Sequence, residues 1–368
     1  MTAESKRLQL VQAARGTAAL LVLLYHATIT IGRTKYAGVD PLLGLFRFGH
    51  AGVDFFFVLS GFIITYAHRS DLGHPASYRR YIWRRLTRIY PAYWSALAVA
   101  VVLFILMPQS GPPYARDPLA ISLSALLWPQ AHLPVLGVAW TLSHEMLFYL
   151  IFGFAIFWPR VIASVFVLWQ AGVIVYGAVT PTAAVPPFLL YSVNFGFGVG
   201  VAIALLSRFP CRWPMAWVGA GTALFLAVGL AENATTFDVT DGNWPQWHFA
   251  YVLISGMVLR GLVSLDLRMG SVPRAAVFLG TASYSIYLVH TLVIPPAVKL
   301  LVSLLKFPGD LAFPLVVCGA LAGGILFYLI VERKSETWAR SHALMTRGPM
   351  APRLPIGYDK LSARDEPT

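Results

Sequence analysis

An arginine and a histidine share one long apolar stretch near the start of the chain. Arg15 and His26 both lie within residues 10–31, a run long enough to cross a bilayer. Ten residues separate them. On an α-helix, eleven steps of about 100° and ~1.5 Å put both side chains on one face, about 16 Å apart along the axis. Ionisable groups are costly inside a membrane, so this pair predicts a functional site.

Among the other ionisable side chains in the predicted spans, three are candidates for the same site, namely Asp54, Glu145 and His290. In the predicted topology His26, Asp54 and Glu145 lie at similar depth, toward the outer side of the membrane. A neutral imidazole can take a proton from an alcohol, and a carboxylate on its other ring nitrogen would fix the tautomer and stabilise the imidazolium. We therefore predict that His26 is a general base, with Asp54 or Glu145 as its partner.

Other interpretations of these side chains are open. An intramembrane histidine such as His26 or His290 often does no more than hydrogen-bond two helices together. Asp54 or Glu145 could pair with a buried basic group. A covalent route through Ser60 is conceivable, although the predicted topology places no base beside it. The convergence of one base and two carboxylates at one depth favours a functional site.

A cluster of arginines precedes the third predicted span. Arg84, Arg85 and Arg88 lie in a basic segment that predicts an amphipathic helix over residues 77–89. Guanidinium groups are suited to bidentate contacts with phosphates. We predict that these arginines and Arg15 bind the phosphates of a donor substrate. Membrane topology together with contact to anionic lipids is the alternative explanation.

A polar stripe falls in the ninth predicted span. Ser283, Tyr287 and His290 follow i, i+4, i+7 spacing, so a helix puts them on one face. We predict that they bind the acceptor or the oxyanion of the reaction. Cys211 and Cys318 fall in different predicted locations, a loop and a span, so neither a disulfide nor a metal site is predicted.

The composition is typical of a membrane protein. Of the 368 residues, 57% are hydrophobic and 12% are charged, with a mean hydropathy of +0.66, whereas a soluble domain is about 25% charged. Hydropathy predicts an all-α, polytopic integral membrane bundle of about ten transmembrane helices. The predicted spans are residues 10–31, 49–68, 90–107, 139–158, 161–179, 186–206, 215–230, 247–263, 276–304 with a break at Pro295 and Pro296, and 311–331.

The net charge of +12 is better explained by topology than by nucleic-acid binding. Most of the 28 Lys and Arg collect in short segments on one side of the predicted spans, and the positive-inside rule puts these segments and both termini in the cytoplasm. The first span lacks a cleavage site and predicts an uncleaved anchor. We expect one transmembrane domain, residues 1–341, and a disordered cytoplasmic tail, residues 342–368.

Five motifs give the chain a resemblance to membrane acyltransferase family 3. Arg15 and His26 reproduce its signature of Arg, ten residues and His. The other four motifs are GVDFFFVLSGF at 52–62, RLTRIYP at 85–91, WTLSHEMLFY at 140–149 and SYSIYLVH at 283–290. The resemblance runs from about residue 8 to residue 332 and departs from the family where Lys334 replaces a common proline.

The resemblance implies a multi-pass enzyme of the cell inner membrane. Such enzymes move an acyl group, usually acetyl, from cytoplasmic acyl-CoA to a hydroxyl of a carbohydrate, a lipid-linked sugar or another extracytoplasmic acceptor. It implies that Arg15 and His26 are essential; acyl-CoA would be a co-substrate, with no bound cofactor. The motifs look most like the exopolysaccharide O-acetyltransferase subgroup, which would bring polysaccharide synthesis machinery into contact with the protein. A transporter or flippase for a glycan or lipid is the alternative.

Overall fold

The computed structural model describes residues 8–107, 109, 111–180, 187–235, 245–266 and 272–343. Every regular element within these residues is a helix. Nine helices are long and apolar enough to cross a membrane, and a further apolar helix over Ser192–Leu206 is shorter. The all-α, polytopic fold class is therefore confirmed. In the described part of the chain, the ten expected spans correspond to nine long helices and this short one.

Twelve α-helices follow one another through the described residues. They are α1 Gln9–Ile31, α2 Gly52–His68, α3 Tyr78–Leu106, α4 Pro118–Ala125, α5 Trp140–Phe157, α6 Pro159–Val179, α7 Phe195–Leu206, α8 Pro214–Asn233, α9 Pro245–Asp266, α10 Arg274–Val298, α11 Gly309–Phe327 and α12 Arg333–Ala343. The tail was expected to begin at residue 342, but α12 continues to Ala343. Residues 344–368 lie outside the described residues.

The first helix is the centre of the bundle, since α1 packs against α2, α9, α10 and α11. Its closest contact is with α10, where two glycines allow the backbones to meet. A Cβ at Gly280 would lie 1.7 Å from the carbonyl oxygen of Gln12, and one at Gly16 would lie 2.8 Å from the nitrogen of Gly280. Small residues at helix crossings are the usual means of such close packing in membranes. The contact fixes the helix of His26 against the helix of His290.

A second glycine contact fixes α2 against α7. A Cβ at Gly61 would lie 2.4 Å from the carbonyl oxygen of Phe197, and one at Gly200 would lie 2.1 Å from that of Val58. Because neither glycine tolerates a side chain there, the two helices cannot separate or slide without loss of packing. This contact holds the helix that carries Asp54 and Ser60.

One expected interruption is wrong. The amphipathic helix predicted over residues 77–89 continues into the span that follows as one helix, α3, which includes Pro91. The expected break at Pro295 and Pro296, however, is absent, since α10 runs through both prolines and continues as a π-helical segment, Lys299–Leu304. Proline removes a backbone donor, and local π geometry is one way in which a membrane helix accommodates that loss.

The predicted span over residues 186–206 is wrong in its first half. Residues 188–190 and 192–194 form short 3-10 turns, and α7 begins at Phe195. The buried Asn194 accounts for this irregular backbone: its amide nitrogen donates to the carbonyls of Phe188 and Leu189 at 3.0 and 3.3 Å, and its oxygen accepts from His144 Nδ1 at 2.9 Å. Non-helical backbone is tolerated at membrane depth where protein groups satisfy it.

Candidate active site

Two adjoining cavities contain most of the predicted site residues. The larger, of about 510 Å³, is the arginine cavity; its charged lining residues are Arg15, Arg84, Arg85, Arg88, Glu145 and Glu336. The smaller, of about 310 Å³, is the histidine cavity; its ionisable lining residues include Tyr25, His26, His50, Glu232 and His248. Val53 and Tyr287 line both. Both volumes are typical of small-molecule sites.

The first helix carries one predicted residue into each cavity. Arg15, in the second turn of α1, lines the arginine cavity. His26, near the end of α1, lines the histidine cavity. The two side chains therefore do not face one common space, as the sequence suggested, but two spaces that meet at Val53 and Tyr287.

The hydrogen bonds of His26 define its tautomer. Its Nδ1 lies 2.9 Å from the carbonyl oxygen of Val22 and 3.2 Å from Nε2 of His290, while Nδ1 of His290 lies 3.1 Å from the carbonyl oxygen of Ile286. A carbonyl can only accept, so each Nδ1 carries a proton, and in the neutral rings each Nε2 is an acceptor. His26 Nδ1–H thus donates to His290, and His26 Nε2 keeps a free lone pair.

The expected carboxylate partner of His26 is wrong. Neither Asp54 nor Glu145 hydrogen-bonds His26, whose partners among the described residues are Val22 and His290. The physical reason lies in the packing of α1 against α10, which brings the imidazole of His290 to the position expected for a carboxylate. The tautomer of His26 is still fixed, although by neutral acceptors rather than by a charge.

Asp54 instead pairs with a histidine that the sequence analysis does not single out. His248 Nδ1 donates to Asp54 Oδ1 at 2.8 Å, and the carboxyl group of Asp54 is fully buried. A similar pair lies beside it, where His50 Nε2 donates to Glu232 Oε1 at 2.7 Å and the hydroxyl of Tyr251 donates to the other oxygen of Glu232. The histidine cavity therefore has two histidine–carboxylate pairs besides His26.

Glu145 lies in the other cavity. It lines the arginine cavity and accepts hydrogen bonds from Ser60 Oγ at 3.0 Å and from the hydroxyl of Tyr149 at 2.5 Å. Glu145 and His26 thus line different cavities, and the expectation that Ser60 has no base beside it is wrong. Glu145 is five residues beyond Trp140, about 7.5 Å along α5, and Trp140 lines the histidine cavity.

The three arginines of α3 converge on one cavity. Arg84, Arg85 and Arg88 all line it together with Arg15 of α1. Arg85 Nη2 donates to His68 Nε2 at 2.7 Å, which holds this guanidinium in place, and Arg88 lies 3.8 Å from Glu336 of α12. Four guanidiniums around one cavity form a site suited to a polyanion.

The polar stripe of α10 runs from one cavity to the other. Ser283 lines the arginine cavity, is fully buried, and has no hydrogen-bond partner for its Oγ among the described residues. Tyr287 forms part of the wall of both cavities, and its hydroxyl lies 2.8 Å from Thr141 Oγ1 and 3.0 Å from the carbonyl oxygen of Val138. His290 is fully buried behind His26. The predicted stripe is therefore a line of contacts between the two spaces.

Three ionisable residues of the histidine cavity are not singled out by the sequence analysis, namely His50, Glu232 and His248. His50 and His248 lie inside the spans predicted at 49–68 and 247–263, so the cost of an intramembrane ionisable group is a signal that applies to them. Glu232 lies two residues beyond the span predicted to end at residue 230. Together with His26 and Asp54, these residues make three histidines and two carboxylates. In the described part of the chain, however, no group of three or more His, Cys, Asp or Glu residues could hold a metal ion.

The chain belongs to acyltransferase family 3: the profile described as "Acyltransferase domain" matches residues 10–332. It is similar to "Exopolysaccharide production protein ExoZ" of Rhizobium meliloti (strain 1021), with 31% identity over 310 residues that cover 78% of this chain and 90% of the relative. The resemblance drawn from the motifs is thereby confirmed, and the protein is an acyltransferase.

Other relatives belong to different organisms. The chain is 28% identical over 339 residues to "Acyltransferase MdmB" of Streptomyces mycarofaciens. The matched region covers 79% of this chain and 82% of that relative. It is 32% identical over 115 residues to "Protein 2 in picA locus" of Rhizobium radiobacter, which covers 31% of this chain and 54% of the relative. No solved structure matches the chain significantly.

Proposed function

We propose that the protein is a membrane O-acyltransferase that moves an acyl group, most simply acetyl, from acyl-CoA in the arginine cavity to a hydroxyl in the histidine cavity. The observation that carries this proposal is the shared wall. A cavity lined by four arginines and a cavity lined by His26 meet at Val53 and Tyr287. A donor and an acceptor that enter from opposite sides would bring their reacting atoms together there.

The donor side is suited to coenzyme A. Its phosphates would contact Arg84, Arg88 and Arg15 through charge-assisted hydrogen bonds. The pantetheine arm would then extend toward Tyr287, past Ser283, whose fully buried Oγ has no partner among the described residues. A buried hydroxyl without a partner costs free energy, so a hydrogen bond to a carbonyl of the donor would remove that cost.

The acceptor side supplies the base. His26 Nε2 takes the proton of the acceptor hydroxyl as its oxygen attacks the thioester carbonyl carbon. The C–S bond then breaks, and the imidazolium returns the proton to the thiolate, which gives the ester and free CoA. The carbonyl of Val22 and Nε2 of His290 share the Nδ1 proton of His26 throughout, so the ring stays oriented while its other nitrogen takes and releases a proton.

We further propose that the protein lies in the bacterial inner membrane, with the arginine cavity toward the cytoplasm. Acyl-CoA is cytoplasmic, and the basic segment with Arg84, Arg85 and Arg88, which the positive-inside rule puts in the cytoplasm, lines this cavity. The acceptor would be a polysaccharide or lipid-linked glycan on the other side, as the name of the relative from exopolysaccharide production suggests. Contact with polysaccharide synthesis machinery would follow from such an acceptor.

The test is His26→Asn in the purified protein with acetyl-CoA as the donor. We expect the rate of acyl transfer to fall by at least ~100-fold because the general base is lost, with the Kd for CoA unchanged. His74→Asn is the matched control, since His74 is exposed on the loop between α2 and α3 and lines neither cavity. Wild-type turnover by His26→Asn would exclude the mechanism.

A further inference from the structure

Three imidazoles line the histidine cavity, and each has one nitrogen engaged by the protein. His26 Nδ1 is bonded to Val22 and His290, His50 Nε2 to Glu232, and His248 Nδ1 to Asp54. In each case the acceptor is a carbonyl, a carboxylate or an unprotonated nitrogen, so the engaged nitrogen carries the proton. The second nitrogen of each neutral ring is then an acceptor. The described residues provide no hydrogen-bond partner for these three nitrogens.

The three rings form one connected group around the cavity. The ring of Tyr25 contacts those of His26 and His50, at centroid distances of 4.9 and 5.6 Å, and the ring of His50 lies 6.0 Å from that of His248. A ligand in the cavity is therefore surrounded by several hydrogen-bond acceptors at once. Its complement is a molecule with several donors on neighbouring atoms.

The charge behind the rings narrows the class of ligand. Asp54 is fully buried and Glu232 is nearly so, and each lies directly behind one of the imidazoles. Two carboxylates so close would repel an anionic ligand in this low-dielectric site. Trp140 and Trp247 also line the cavity, and flat aromatic faces suit the apolar C–H face of a ring.

We propose that His50 and His248 bind two hydroxyls of a carbohydrate acceptor that flank the hydroxyl deprotonated by His26. Asp54 and Glu232 are positioning residues that fix the tautomers of these two histidines. This inference rests on the proposed function and extends it, because it assigns the acceptor to a ring with neighbouring hydroxyls. A lipid with a single hydroxyl group would leave two imidazole nitrogens without a partner in a desolvated site, which is costly.

The experiment uses purified protein in lipid nanodiscs with radiolabelled acetyl-CoA. The acceptors are the carbohydrate fraction and, separately, the lipid fraction from cells that lack the protein. We expect label in the carbohydrate fraction. His50→Gln keeps a group that can bond Glu232 but removes Nδ1, and His248→Asn keeps a group that can bond Asp54 but removes Nε2. Each should raise the acceptor KM by about 10-fold, the loss of one hydrogen bond in a desolvated site, while the Kd for CoA stays within two-fold of wild type.

Two further variants separate recognition from folding. His74→Asn should match wild type in every measurement. His248→Gln, whose amide reaches the position of Nε2, should recover part of the acceptor affinity lost in His248→Asn, and a variant that has lost its fold would show no CoA binding. No recovery by glutamine, with CoA binding intact, would overturn the hydrogen-bonding role of His248.

The remaining outcomes distinguish this inference from the proposed function. A wild-type acceptor KM in both His50→Gln and His248→Asn would overturn the inference and leave the proposed function standing. Label in the lipid fraction alone, on a molecule with one hydroxyl or on an amine, would overturn it as well. Absence of any acetyl transfer or CoA binding by the wild-type protein would overturn the proposed function itself.

Discussion

The arginine cavity and the histidine cavity differ in the charge that they present. Four guanidiniums face the first, whereas the second is lined by histidines, two of them in front of buried carboxylates. The first suits a ligand with several phosphates, and the second suits a neutral ligand with several hydroxyls. Because of this difference, the charge of each cavity can discriminate between two substrates before they react, since each cavity disfavours the ligand of the other.

The wall between the cavities matters as much as their linings. Tyr287 belongs to both, and its hydroxyl is engaged by Thr141 and the carbonyl of Val138. These bonds tie α10 to the start of α5 at the point where the cavities meet. A reaction between two separately bound substrates requires that this wall remain well ordered, since small errors in position are costly in rate.

The largest effect that would test the division between the two cavities is expected on donor binding. Arg88→Ala should raise the Kd for CoA by about 10- to 100-fold, because a charge-assisted hydrogen bond contributes roughly 1.5–3 kcal/mol, and should leave the acceptor KM unchanged. Arg79→Ala is the matched control, since Arg79 is exposed on the same helix and lines neither cavity. A change in the acceptor KM instead would contradict the division between the cavities.

A smaller effect is expected for His290, which is buried behind His26. His290→Phe removes one of the two acceptors of the His26 Nδ1 proton, leaves the carbonyl of Val22 and keeps a ring between the helices, so kcat should fall by about 5- to 10-fold, the value of one neutral hydrogen bond. Both KM values should stay near wild type. His290→Gln, which retains an acceptor oxygen, should lose less. Because His290 is fully buried, thermal melting of both variants is the necessary control; equal losses in the two variants at unchanged stability would argue against orientation by His290.

The smallest effect is expected at Ser60, where the arginine cavity offers a possible nucleophile. Ser60 is seven residues beyond Val53 on α2, about 10 Å along the axis from the shared wall, so an acyl group on its Oγ could not reach the acceptor. Ser60→Ala should therefore retain at least about one third of wild-type turnover, because it loses one neutral hydrogen bond to Glu145. Intact-mass measurement after acetyl-CoA alone should show no acetylated protein; an adduct that Ser60→Ala abolishes would establish a covalent route.

Local pattern predicts most of the fold but not its irregular parts. Hydropathy locates the helices because each span is a property of some twenty adjoining residues. It starts the span predicted over residues 186–206 too early. The reason is that the buried amide of Asn194 satisfies the non-helical backbone that precedes α7. It also predicts a break at Pro295 and Pro296, although α10 runs through both prolines and a π-helical segment follows from Lys299.

Patterns in the sequence are sufficient to predict an all-α membrane acyltransferase and to single out Arg15, His26 and an arginine cluster as candidate site residues. Helical spacing and motifs within a few residues are sufficient for those conclusions. The hydrogen-bond partners of Asp54 and His26, in contrast, follow only from the tertiary structure. Asp54 pairs with a histidine 194 positions away, and His26 with one 264 positions away. Such pairs depend on which helix faces lie together, and that is set by packing such as the glycine contact of α1 with α10 rather than by the spacing of residues along one helix.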